Sequence, residues 1–76
     1  MDTAKIVDAR GSYCPGPLME LIKGIRREAI GTTLEIWSSD RGSAKDIPEW
    51  AARAGHELVS STEEDGIYKI QVRKAR

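Results

Sequence analysis

The clearest signal along the chain is a change of hydrophobic period. From Leu18 the apolar positions fall at Leu18, Leu21, Ile22, Ile25 and Ala29, with Glu20, Lys23, Arg26 and Arg27 turned away. This is the one-sided stripe of an amphipathic helix, and Gly31 is its expected C-terminal cap. Thr33 to Ser38 then alternates with period two and carries β-branched and aromatic residues, which predicts a strand. Lys5 to Ala9 is a shorter β-favouring run ending in the turn composition Arg10-Gly11-Ser12. The intervening helix predicts that these two strands pair in parallel. After the turn Ser39–Ser43, Ile47, Trp50, Ala51 and Ala54 form the stripe of a second helix of about three turns. Ser43 or Asp46 is its expected N-cap, Pro48 is expected in its first turn, and Gly55 is its stop. His56 to Thr62 and Ile67 to Arg73 predict two more strands, joined by Glu63-Glu64-Asp65-Gly66, whose Asp-Gly pair is a hairpin signal. In the last strand Tyr68, Ile70 and Val72 share one face, and Lys69, Gln71 and Arg73 the other.

The order β-α-β-α-β-β has a natural α/β solution, an α+β two-layer sandwich. A mixed four-stranded sheet carries both helices on one face and leaves the other largely wet. The 76 residues fit a single domain, 1–76, with no internal repeat or low-complexity stretch. An apolar share of 39% beside 32% charged residues suits a folded chain rather than a disordered one. No apolar run nears the ~20 residues that span a bilayer. The start, Met1-Asp2-Thr3-Ala4-Lys5, lacks a secretory pattern, so the cytoplasm is the expected compartment, with no membrane partner. Twelve basic residues cancel twelve acidic ones, which argues against bulk electrostatic binding to nucleic acid.

A single cysteine, Cys14, and a single histidine, His56, narrow the chemistry. They exclude an internal disulfide, a dithiol redox pair and a structural zinc site, so neither metal nor cofactor is expected. Cys14 lies between the first strand and the first helix, in Tyr13-Cys14-Pro15-Gly16-Pro17-Leu18. First-turn N–H groups have no intrahelical partner, so prolines cost least there. The prolines therefore predict Cys14 as N-cap, Pro15 as N1 and Pro17 as N3. Gly16, preceding Pro17, is biased away from helical angles. A thiol at a helix N-terminus is favoured as thiolate by the peptide dipoles and open N–H groups. Two prolines remove two of those donors, leaving Gly16 and Leu18, while Arg10 adds positive charge from upstream.

On composition alone a lone cysteine reads as a small buried hydrophobe. Its proline and glycine neighbours favour an exposed, reactive thiol instead. No base stands out beside it: His56 follows Gly55 near the foot of a strand and reads as a surface or edge residue. The basic stripe Lys23, Arg26 and Arg27 and the C-terminal Lys69, Arg73, Lys74 and Arg76 read as solvated faces, with steering toward an acidic partner as the alternative. Asp46, Glu49 and the acidic turn read as capping and solvation, and Trp37 and Trp50 as core or semi-buried packing.

Asp8-x-x-Gly11-x-x-Cys14-Pro15-x-Pro17-Leu18 resembles the signature of the TusA/SirA-like sulfur-carrier family, in which a Cys-Pro-x-Pro motif opens the first helix. The resemblance continues through Gly31-x-x-Leu34-Glu35, Asp40-x-Gly42-Ser43-x-x-Asp46-Ile47-Pro48, Gly55-His56-Glu57-Leu58 and Val72-Arg73-Lys74, essentially the whole chain. It implies a two-layer sandwich carrying sulfur as a persulfide on Cys14, with Arg10, Pro15, Gly16 and Pro17 in support. The sulfur would come from a donor such as a cysteine desulfurase or sulfurtransferase and pass to an acceptor sulfur-relay protein. Such a chain is a relay rather than a stand-alone catalyst. Its pathway would be tRNA thiolation, molybdenum-cofactor assembly or sulfur oxidation. Arg41, and Ser12-Tyr13 before the cysteine, depart from the commoner family residues beside the active face. A small RNA-binding or regulatory adaptor domain with an inert cysteine is the alternative, although with no Phe and two Tyr it lacks a base-stacking cluster.

Overall fold

Strand alternation sets the sides of the sheet. The computed structural model describes residues 4–11 and 16–76. Its elements are β1 (Lys5–Asp8), α1 (Gly16–Arg27), β2 (Thr33–Ser38), α2 (Ser43–Ala54), β3 (Glu57–Glu64) and β4 (Ile67–Arg73). The sheet order is β1-β2-β4-β3: β1 runs parallel to β2, and β4 runs antiparallel to both β2 and β3. Leu34, Ile36 and Ser38 of β2 pair with Val72, Ile70 and Tyr68 of β4, placing one alternation phase of each strand on the helix side. Leu21 and Ile25 of α1 and Ile47 and Ala51 of α2 close on Leu34, Ile36, Ile70 and Val72, and all eight are buried. Val7, Leu18, Trp50 and Tyr68 pack around this core. Full burial of each large side chain contributes roughly 1.5–3 kcal/mol.

α1 stops at Arg27, four residues short of Gly31, so Ala29 and Ile30 are exposed and Gly31 is not the helix cap. The termination has local causes. The Glu28 N–H bonds back to the Ile25 carbonyl in a tightened turn, and the Lys74 ammonium takes the Glu28 carbonyl at 2.8 Å. Gly31, with φ of +97°, turns the chain so that its N–H reaches the Lys74 carbonyl at 2.7 Å.

α2 likewise begins differently from expectation. Gly42, not Ser43 or Asp46, is its N-cap, and it has helical angles and no side-chain cap bond. The open N–H groups of Ser43, Ala44 and Lys45 instead find the carbonyls of Asp40, Arg41 and Gly42. That leaves the Ser43 hydroxyl free to turn inward, where Ser38 Oγ donates to it at 3.0 Å in a wholly buried pair. Starting at Ser43 also makes Pro48 the sixth helical residue rather than a first-turn one. Gly55 ends α2 as expected, with φ of +81° and its N–H shared between the Ala51 and Ala52 carbonyls.

β3 extends through Glu63 and Glu64, two residues beyond expectation, so the hairpin turn narrows to Asp65-Gly66, both with positive φ. That is the geometry whose twist suits two antiparallel strands. A bulge between Leu58 and Ser60 shifts the register of this edge strand.

Candidate functional site

Chain order brings the C-terminal end of β1 and the first turn of α1 to the two sides of one short segment, residues 12–15. Cys14 and Pro15 belong to that segment and lie outside the described residues, so the expected N-cap and N1 positions do too. The residues that bound it are described. Gly16 is the first helical residue of α1 despite preceding a proline, since without a Cβ it has little to set against the Pro17 ring. Pro17 is buried in the first turn, and Leu18 packs against the core. The positive end of the α1 dipole therefore follows directly on segment 12–15.

On the other side, β1 is held to the end of β2. The Ala9 N–H donates to the Trp37 carbonyl at 2.9 Å, and the Gly11 N–H donates to Ser39 Oγ at 3.0 Å. Arg10, between them, is held on the open face of the sheet. Its Nε donates to Asp8 Oδ1 at 2.8 Å, and its Nη2 to Oδ2 at 2.6 Å. Its guanidinium also lies 5.0 Å from the Trp37 ring centroid, with the Lys69 ammonium 5.2 Å from the same ring. These hydrogen bonds from Arg10 hold the Asp8 carboxyl at a pKa of about 2 and push the Arg10 guanidinium up in turn. Glu35 is lowered as well, first because the Trp37 indole N–H donates to it, then because Gln71 Nε2 donates to it at 2.7 Å.

The expected supporting residues thus separate. Gly16 and Pro17 open α1, whereas the Arg10 charge is already answered by Asp8. Three residues entered the sequence reading without these contacts: Asp8 only within the family signature, Trp37 only as packing, and Ser39 only as a turn residue. Trp37 alternates with Leu34 and Ile36 in the wrong phase for the core, which was the available signal for its outward face. Ser39 carried no such signal, because only the fold brings it to Gly11.

His56 stands at the opposite end of the sheet, beside the Glu57–Arg73 pairing. Its Nδ1 accepts the Ala75 N–H at 3.1 Å, and its ring packs 5.3 Å from Trp50. Desolvation first, then Lys74 and Arg76, lowers its pKa.

Two clefts include a residue near segment 12–15 in the chain, Arg10 in one and Leu18 in the other. One, of about 340 Å³, lies on the open face and is lined by Arg10, Trp37, Glu64, Asp65, Ile67 and Lys69. The other, of about 210 Å³, is lined by Leu18, Asp46, Glu49, Trp50 and Arg53. Among the described residues no three His, Cys, Asp or Glu side chains gather as a metal-binding group, and no helix is long and apolar enough to cross a membrane.

Comparison with known proteins places this geometry. Residues 5–74 match the sequence model of the family described as Sulfurtransferase TusA. A putative sulfur carrier protein of Archaeoglobus fulgidus is 55% identical over 71 residues, covering 93% of this chain and 97% of that one. The sulfur carrier protein TusA of Pseudomonas entomophila is 40% identical over 68 residues, covering 90% of this chain and 85% of its own. The crystal structure of a SirA-like protein from Desulfitobacterium hafniense superposes with a TM-score of 0.82 at 19% identity. It covers 93% of this chain and 97% of that one, a likeness of fold.

Proposed function

Since this chain belongs to the TusA family of sulfurtransferases, we propose that it is a sulfur carrier holding one sulfur as a persulfide on Cys14. The observation that supports this most directly is the position of the only thiol, two residues before the helix that begins at Gly16. The dipole of α1 and the open N–H groups of Gly16 and Leu18 favour an anionic sulfur there, and a persulfide is more acidic than a thiol.

The transfer needs no cofactor. The Cys14 thiolate attacks the outer sulfur of a donor persulfide, such as that of a cysteine desulfurase. One S–S bond forms on Cys14 as the donor S–S bond breaks, and the donor departs as a thiolate. An acceptor thiolate then attacks the outer sulfur on Cys14 and regenerates the Cys14 thiolate. Both steps exchange like for like, so no net oxidation occurs. The acceptor is a sulfur-relay protein of tRNA thiolation, molybdenum-cofactor assembly or sulfur oxidation, working in the cytoplasm, where thiols stay reduced.

Mass spectrometry tests the assignment. Incubation with a cysteine desulfurase and cysteine should add one reductant-labile sulfur to the wild type and none to Cys14→Ser. Equal loading of Cys14→Ser, or no loading of the wild type by any sulfane donor, would overturn it. RNA binding that persists in Cys14→Ser, without sulfur uptake, would favour the adaptor alternative.

A further inference from the structure

Strand register and helix direction gather cations at one end of the molecule, the end away from the β1–α1 connection. Thr33 pairs with Arg73 and Arg73 with Glu57, so β2, β4 and β3 share that end, with Lys5 opening β1 beside Leu34. Both helices finish there, α1 in Arg26 and Arg27 and α2 in Arg53 followed by Ala54. The chain beyond β4 joins the two endings. The Lys74 ammonium takes the Glu28 carbonyl behind α1, and Arg76 lies over Gly55 behind α2, its Cδ 2.6 Å from where a Cβ would stand. The side-chain carboxylates of this end, Glu28 and Glu57, are met by Lys5 and Arg73. Arg26, Arg27, Arg53 and Arg76 form no ion pair among the described residues. Helix dipoles do not account for all four: each C-terminus presents roughly half a negative charge, about one in all against four guanidinium groups.

The same end presents Ile30, at 68% the most exposed large hydrophobic side chain among the described residues. Its turn is pinned, the Thr32 N–H donating to the Ala29 carbonyl at 3.1 Å and the Gly31 N–H to the Lys74 carbonyl at 2.7 Å. We propose that this end is a docking surface for an acidic segment of a partner protein, which seats an apolar side chain against Ile30 among the arginines. Arginine around an apolar anchor is the composition of protein interfaces, and a planar guanidinium matches a carboxylate two N–H groups at a time. Glu28 and Glu57, inside the patch, repel the unbroken charge of a phosphate backbone or an anionic lipid leaflet, whereas the separate acids of a protein can be spaced around them. The equal totals of acids and bases conceal this surface, because Asp8 and the Glu63-Glu64-Asp65 turn lie at the opposite end of the sheet. The surface stands on charge and geometry rather than on the sulfur-carrier reading. Under that reading, a partner docked here leaves the β1–α1 end open to a second one.

The test uses the full chain and a fluorescein-labelled peptide of Glu and Asp residues around one central Leu. Fluorescence anisotropy should show saturable binding that weakens as salt is raised. Arg27→Glu combined with Arg76→Glu should weaken it more than about tenfold, and Ile30→Ser about three- to tenfold. Lys45→Glu reverses an exposed cation in the first turn of α2, at the other end of the molecule, and should bind as the wild type does. Alkylation of Cys14 by iodoacetamide should keep its rate with the peptide bound. Absence of saturable binding, equal weakening by Lys45→Glu, full affinity in Ile30→Ser, or alkylation slowed by the peptide would overturn the proposal. Tighter binding of polyuridylate or of phosphatidylglycerol vesicles would overturn it too, assigning the basic end to RNA or to a lipid surface. None of these readouts involves sulfur transfer, so the docking surface and the carrier reading fail separately.

Discussion

Ile36 and Ile70 face each other across β2 and β4, both wholly buried, at the centre of the helix-covered side of the sheet. Neither has a solvent-exposed edge into which a cavity could collapse. Ile36→Ala or Ile70→Ala should each cost about 2–5 kcal/mol, and Ile36→Val about 0.5–1.5 kcal/mol, as read by urea denaturation. Because the two touch, the cost of the double alanine variant should differ from the sum of the single ones. Strict additivity would show that the two side chains do not share a packing site.

The Asp8 carboxyl supplies a titration that can be followed directly. Its pKa is lowered from 3.8 to about 2 by hydrogen bonds from Arg10. A depressed acid contributes stability that is present above pH 3.8 and lost as pH falls through about 2. Carboxyl-carbon NMR should place the Asp8 midpoint near that lower value, and Arg10→Ala should return it toward 3.8. An unchanged midpoint in Arg10→Ala would assign the shift to another cause.

His56 carries the same sign in a higher pH range, for a different reason. Its folded pKa is lowered from 6.5, so the unfolded chain binds the proton more readily than the folded one. The stabilising effect is complete above pH 6.5 and is lost as pH falls below it, where protonated Nδ1 can no longer accept the Ala75 N–H. His56→Gln keeps an acceptor and does not titrate. Thermal melts should show the wild type losing stability relative to His56→Gln on acidification below pH 6.5.

Gly66 isolates a backbone effect. Its φ is +79°, and a Cβ placed there would meet no atom within 4 Å. Gly66→Ala should therefore cost about 1–2 kcal/mol through left-handed strain alone, measured by denaturant unfolding. A much larger loss would mean that the β3–β4 register had shifted.

The parts of the fold readable in advance are those where side-chain period and turn chemistry act locally. The alternation of Leu34 and Ile36, the stripe of Leu21 and Ile25, and Asp65-Gly66 each specify an element without help from distant residues. Helix ends were less readable because distant groups decide them. Lys74, far along the chain, takes the carbonyl just after α1, and backbone carbonyls of the Asp40–Gly42 turn replace the side-chain cap expected for α2. The cysteine and its place ahead of α1 could be read from order alone. The contacts at the end of β1 could not, because Ser39 reaches Gly11 and Trp37 lies beneath Arg10 only after β1 and β2 have paired.

The sheet order also governs how the molecule can be made. β4 follows β3 in the chain, yet it lies between β2 and β3, which have no ladder contact with each other. A ribosome that has completed β3 has produced both helices and three strands, but Ile36 still lacks Ile70, and β3 has no neighbour to join. The core therefore stays incomplete until Ile70 and Val72 have been made. A chain stopped before Ile67 would leave two strand edges and one apolar sheet face open to other chains.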